Sequence, residues 1–165
     1  MKIKKISVTG MFAALIFVFT MFVKVPVASG YVHFGDALVY VGALILGSPY
    51  AFIAAAIGEG LADVLGGYAI YAPATVLIKC ILVLPFVIER KNSSKLFTKR
   101  TALSTLPAAL VTVAGYFFAD LIIDKSYAVA DIPGNIVQAV GSAVIFVIIA
   151  LALDRINIKD KIDLG

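Results

Sequence analysis

Apolar residues run without a charged position over 6–23, 37–58, 64–78, 101–119 and 132–153. Stretches such as "MFAALIFVFTMFV" and "VIFVIIALAL" are apolar on every face. They therefore lack both the polar stripe of a surface helix and the alternation of a barrel strand. About 20 such residues, as a helix, cross the ~30 Å of hydrocarbon in a bilayer. The pattern predicts an all-α integral membrane protein. The interval 36–66 is too long for one upright crossing, since its 31 residues would rise about 46 Å at ~1.5 Å each. "LGSPY" at 46–50 breaks it, because Gly47, Ser48 and Pro49 together form a turn signal. Helices are thus predicted at about 6–24, 36–47, 49–66, 72–88, 102–124 and 133–153, the second being short and either tilted or completed by the loop before it.

Basic residues test that split. They gather as Lys2, Lys4 and Lys5, then Arg90, Lys91, Lys95, Lys99 and Arg100, then Arg155, Lys159 and Lys161. With six crossings all three groups share one side of the membrane, and Lys and Arg favour the cytoplasmic side. With five crossings the loop at 90–100 would face outward. The expectation is a single domain, residues 1–165, built as a six-transmembrane-helix bundle with both termini cytoplasmic.

Composition agrees, with 62% apolar residues and 15% charged and a mean hydropathy of +1.05. The net charge of +4 belongs to short patches between apolar runs, which fits membrane topology and not nucleic-acid binding. The start, "MKIKKISVTGMFAALIFVFTMFV", has the basic and apolar order of a signal peptide. No small-residue cleavage site follows it, so it is expected to remain as the first helix. Cys80 is the one cysteine, which leaves no internal disulfide and no cysteine metal cluster.

Against this apolar background the polar residues of the helices share one level, their outer halves. Glu59 and Asp63 stand one turn apart on one face of the third helix. Lys79 lies about 10 Å below the outer end of the fourth. Asp36 begins the second, Asp120 nears the outer end of the fifth, and Asn135 and Gln138 open the sixth. The cytoplasmic halves, "ALILG", "LVLPFVI" and "VIIALAL", hold almost nothing polar. Charge inside a membrane faces a bundle interior or a water-filled cavity, where it is paired or functional. The asymmetry implies a pocket open outward and closed below. Tyr31, Phe34, Tyr40, Tyr68, Tyr71, Tyr116 and Tyr127 fall near the same level, some placed to stack on a flat ring and some to form an interfacial belt.

Plainer roles compete at each position. Lys79 neutralises Glu59 or Asp63 as a structural pair, Asp36 and Asn135 cap helices, and His33 is a solvated loop residue. Two stretches, "LADVLGGYAIYAPATV" and "FADLIIDKSYAVADIPGNIV", align as helix, loop, helix, matching Ala62-Asp63 with Ala119-Asp120 and Pro73 with Pro133. Such a repeat is a transporter architecture. The glycines of "GEGLADVLGG" are not a phosphate loop, since no G-x-x-x-x-G-K-[ST] is present. Gly58, Gly60, Gly66 and Gly67 instead suit close helix packing and a tight exit turn. On the first helix Gly10 and Ala14, with Ala13 beside them, form a small surface on which another helix can dock.

Residues 30–79, "GYVHFGDALVYVGALILGSPYAFIAAAIGEGLADVLGGYAIYAPATVLIK", together with "DIPGNIVQAVGSAVI" at 131–145, resemble a substrate-binding S component of an energy-coupling factor (ECF) transporter. The resemblance covers nearly the whole chain. It implies a multi-pass protein of a prokaryotic plasma membrane that captures a small vitamin-like ligand from outside. It also implies three partner subunits: a transmembrane coupling (T) subunit and two cytoplasmic ATPases, which use the ATP, so that no cofactor is expected on this chain. The family docks through small residues of helix one in an A-x-x-x-A pattern, to which Gly10 and Ala14 correspond with one departure. Its ligand site near the outer surface places Asp63, Lys79, Asp120, Asn135 and Gln138 among the candidates, to which the polar level of the helices adds Asp36, Glu59, Tyr68 and Tyr71. Its transport cycle implies toppling of the S component within the membrane. The type it most resembles takes a vitamin B6 vitamer or the hydroxymethylpyrimidine precursor of thiamine, with riboflavin a further candidate. Two other classes remain in view. An autonomous carrier or channel would transport without ATPase partners. A membrane-embedded enzyme would need a nucleophile or metal cluster that one His, one Cys and separated carboxylates do not supply.

Overall fold

In the computed structural model, which describes residues 2–27, 30–91, 94–162 and 164, six helices of twelve or more residues form the body of the protein. They are α1 (Lys2–Met21), α2 (Gly35–Leu46), α3 (Tyr50–Gly66), α4 (Ala72–Arg90), α6 (Thr105–Ile123) and α8 (Ile132–Arg155). Short helices α5 (Lys99–Leu103), α7 (Tyr127–Ala130) and α9 (Ile158–Ile162) lie at the connections and near the C-terminus. Each long helix falls within a few residues of its predicted interval. Four segments, 2–21, 72–90, 99–123 and 127–155, are long and apolar enough to cross a membrane, and the chain is a multi-pass membrane protein.

Two features depart from the expectation. The segment between α1 and α2 is not a plain loop but an antiparallel hairpin, β1 (Lys24–Val27) and β2 (Gly30–His33), pairing Lys24 with His33 and Val25 with Val32. β-Branched Val25, Val27 and Val32 suit strands, a signal the long apolar helical runs on either side hide. The second is α2. Its twelve residues rise only about 18 Å, and every one of them is buried. A helix apolar on all sides is stable only when surrounded. α1, α3, α4 and α8 all pack against it, while α1, α3, α4, α6 and α8 follow one another around it. The hairpin touches both α1 and α8 and bridges the two ends of that open ring. The helices' outward residues are largely apolar, among them Leu77, Leu84, Leu106, Leu110, Val140 and Ile148, as a lipid-facing surface requires.

The turn between α2 and α3 lies where "LGSPY" predicted it. Gly47 has φ +69°, a conformation that an L side chain resists, and Ser48–Pro49 is a cis bond. Arg90 closes over this turn, its Nε donating to the Ile45 carbonyl at 3.3 Å. Lys159 donates to the Arg90 carbonyl at 3.4 Å, and Lys5 lies 5.9 Å from the Tyr50 ring centroid. The three basic groups therefore meet at one end of the bundle, opposite the hairpin. There Asp154 accepts the backbone N–H groups of Leu96 and Phe97, both at 2.8 Å. A carboxylate in the last turn of a helix opposes the helix dipole, and these two bonds offset that. Asp154→Ala would leave the two donors unsatisfied and cost about 1–3 kcal/mol. The expected result is a lower unfolding temperature with faster protease cleavage between α4 and α5, and unchanged cleavage would contradict it.

Above the basic end the core is aromatic. Tyr40 stacks on Phe86 with centroids 4.4 Å apart, and Phe146 meets both edge-on at 5.8 and 5.5 Å. All three are fully buried. They form a closed apolar floor, and the polar side chains gather on its hairpin side.

Candidate functional site

The first turn of α2 carries Asp36 into the centre of the ring. Its carboxylate does not cap the helix, for the N-cap is Phe34 and makes no side-chain bond. Oδ1 pairs with Lys79 Nζ from α4, both side chains being wholly buried. Oδ2 accepts from Gln138 Nε2 of α8 at 3.0 Å. Gln138 in turn accepts the His33 backbone N–H through Oε1 at 2.7 Å. Four elements, α2, α4, α8 and β2, are thus tied at one buried point. The sequence expectation that Lys79 neutralises Glu59 or Asp63 is corrected here: its partner is Asp36. Helix rotation decides this, because Asp36 projects from the central α2 while Glu59 and Asp63 belong to the surrounding ring.

His33 is likewise not a solvated loop residue, being 9% exposed. Its Nδ1 accepts the Gly35 N–H at 3.2 Å, which leaves Nε2 facing Glu59 Oε2 at 3.8 Å. Gln138 Nε2 lies within 3.3 Å of both ring nitrogens. Gly35 itself has no room for a side chain: a Cβ there would meet Thr20 Oγ1, and Glu59 Oε1 at 2.7 Å. Thr20, at the end of α1, therefore joins Glu59 and His33 in this knot, and sequence reasoning did not anticipate it.

Burial holds the His33 imidazole far below its ordinary range, at about 4, with Asp36 pulling it up and Lys79 and Lys24 adding to the depression. The unfolded chain then binds a proton that the folded chain refuses between about 4 and the ordinary 6.5. Stability from this group is complete above 6.5 and is lost as pH falls toward 4. The full loss is about 3 kcal/mol. Thermal unfolding of wild type should fall more steeply between pH 7 and 4.5 than that of His33→Gln. Parallel profiles would contradict the assignment.

On the hairpin side of this knot, α4 and α6 face each other through a ladder. Tyr71 hydroxyl donates to Asp120 Oδ1 at 2.9 Å. Thr75 and Tyr116 hydroxyls meet at 3.2 Å. Lys79 Nζ lies 5.5 Å from the Tyr116 ring centroid. Residues 71, 75 and 79, like 116 and 120, are one turn apart, so the rungs share one face of each helix. Asp63 approaches Thr75 from α3. Thr75 was missed from the sequence, although the one-turn spacing from both Tyr71 and Lys79 marks it.

Of the residues expected at the site, Asp36, Lys79, Gln138 and Glu59 meet in the inner knot, and Asp63, Tyr71 and Asp120 line the ladder. Tyr68 is 43% exposed beyond the end of α3. Asn135 is half-buried in the first turn of α8 and makes no side-chain hydrogen bond among the described residues; the N-cap position there is Asp131. Of the aromatics, Tyr40 belongs to the floor and is closed to a ligand. The Tyr31 side chain lies outside the described residues. On α1, Gly10 and Ala14 face outward, and a Cβ at Gly10 would meet nothing within 4 Å. Ala13, expected beside them, is buried, its carbonyl only 2.9 Å from where a Gly58 Cβ would stand. It packs α1 on α3 and offers no surface to a partner.

Residues 1–155 match the family described as ECF-type riboflavin transporter, S component. The chain belongs to that family. The S component is thus a substrate-binding subunit of a transporter, whose family works with a T subunit, ATPase subunits and a small-molecule ligand. It is a transport family and not an enzyme family. An uncharacterized protein of Pyrococcus woesei is 32% identical over 132 residues, covering 76% of this S component and 85% of that protein.

Proposed function

We propose that this S component captures a small hydroxylated nitrogen heteroaromatic, a vitamin B6 vitamer or the hydroxymethylpyrimidine precursor of thiamine, at the hairpin end of its bundle. The observation that carries the reading is the convergence of Asp36, Lys79, Gln138, Glu59, Asp63 and Asp120 above an aromatic floor. Ionisable groups in a membrane bundle mark a ligand or ion path. In the proposed topology six helices cross the cell membrane, the basic end and both termini are cytoplasmic, and the hairpin end receives the ligand from outside. The occupied subunit topples in the membrane and releases its ligand inward, driven by ATP hydrolysis in partner subunits. Gly10 and Ala14 form the docking surface on α1, whose outward face is open. The chain itself uses no cofactor. Riboflavin is the second reading, favoured by the family description.

The test is equilibrium binding of pyridoxine, the hydroxymethylpyrimidine and riboflavin to the purified chain without ATP. At least one should bind below micromolar concentration, and Asp63→Asn should weaken it about tenfold. Gly10→Leu should leave that affinity intact while abolishing co-purification with the T subunit. Unchanged affinity in Asp63→Asn, or ligand uptake by vesicles holding this chain alone, would contradict the reading.

A further inference from the structure

Two carboxylates of the site are at least nine-tenths buried and each keeps one oxygen without a hydrogen-bond partner: Asp63 Oδ2 and Asp120 Oδ2. Asp63 lies on α3 one turn beyond Glu59, beside Thr75, and Asp120 on the outer rung of the ladder with Tyr71. The buried amine nearest them, Lys79, gives one N–H to Asp36 and lies against the Tyr116 ring. Gln138 directs its amide N–H groups at Asp36 and the His33 ring. At Asp63 and Asp120 the atoms left without a partner are therefore acceptors.

A buried acceptor without a donor loses the hydrogen bonds it had in water, and the loss is recovered only when a guest supplies N–H or O–H. A guest bearing phosphate or carboxylate would instead set like charges together in a medium of low dielectric. From these two buried oxygens we infer that the ligand presents an amine or a protonated ring nitrogen and carries no phosphate or carboxylate. The inference rests on the capture reading above and narrows it. Within the proposed ring class it selects aminopyrimidines and pyridoxamine-like rings, and it rejects their phosphate esters. Amine and ring N–H groups of the guest bond the free Oδ2 atoms of Asp63 and Asp120, and Tyr71 holds Oδ1 of Asp120.

The experiment is titration calorimetry of the full chain in detergent with matched pairs. These are 4-amino-5-hydroxymethyl-2-methylpyrimidine against its 4-oxo counterpart, pyridoxamine against pyridoxine, and pyridoxine against pyridoxine phosphate, with riboflavin added as a single probe. The amine member should bind at least tenfold tighter than its partner, and the phosphate ester at least a hundredfold weaker than the free alcohol. In Asp120→Asn and in Asp63→Asn the amine-to-oxo ratio should shrink toward one. Because the ratio is read within each variant, partial unfolding affects both members alike and does not mimic the effect. Equal affinity within the pairs, preference for the phosphate, or an unchanged ratio in both variants would overturn the inference. If riboflavin binds tightly while no amine preference appears, the capture role stands and this inference falls. If no probe binds and no small molecule is released from the denatured protein, both fall together.

Discussion

Lys79→Met should lower the unfolding temperature of the purified protein by about 10 °C and abolish ligand binding. The change leaves the Asp36 carboxylate wholly buried with only the Gln138 amide as partner. Removing one member of a buried ion pair costs about 3–5 kcal/mol because the remaining charge is uncompensated. In a chain of this size each kcal/mol is worth about 2–4 °C. The double variant Asp36→Asn, Lys79→Met removes both charges at once and should recover more than half of the loss, the coupling expected of groups in direct contact. Asparagine keeps an acceptor for Gln138, so the tie between α2 and α8 survives. A single variant that melts with wild type, or a double variant no better than the single, would show that the pair does not hold the site together.

Gly58→Val is the second large effect. A Cβ at Gly58 would stand 2.6 Å from Ile16 Cγ2 and 2.9 Å from the Ala13 carbonyl oxygen. Neither neighbour can swing aside, since one is branched at Cβ and the other is backbone. The helices α1 and α3 must separate, at about 1–3 kcal/mol for an overpacked interior. Separation also parts Thr20 on α1 from Glu59 on α3, whose oxygens stand together over Gly35. Affinity for ligand should therefore fall about tenfold along with a drop of several degrees in unfolding temperature. Gly10→Val on the same α1 points into open space and should change neither quantity. Equal behaviour of the two variants would refute the close α1–α3 contact as the support of the site.

The contrast between these two glycines measures how far sequence reading reaches. Both lie in small-residue patterns, and pattern alone offered each as a packing surface. Only the rotation of α1 about its axis sends Gly10 outward and turns Ala13 toward Gly58. The same limit explains Lys79. The sequence offered Glu59 or Asp63 as its partner, and the pairing with Asp36 depends on the angle at which α2 threads the ring. His33 follows from the hairpin, whose pairing places the imidazole under the start of α8 where Gln138 can meet it.

By itself the sequence determined that this chain lives in a membrane, where its six long helices start and stop, that the break falls at Gly47 to Pro49, and that its polar residues share one end. It could do so because hydrophobic run length, turn chemistry and charge placement are local properties, written within a few residues of where they act. The tertiary structure alone decided that α2 is the enclosed centre, that β1 and β2 close the ring between α1 and α8, and which carboxylate holds the buried amine. Those outcomes depend on the relative rotation and depth of helices distant in the chain, which packing sets and periodicity does not record.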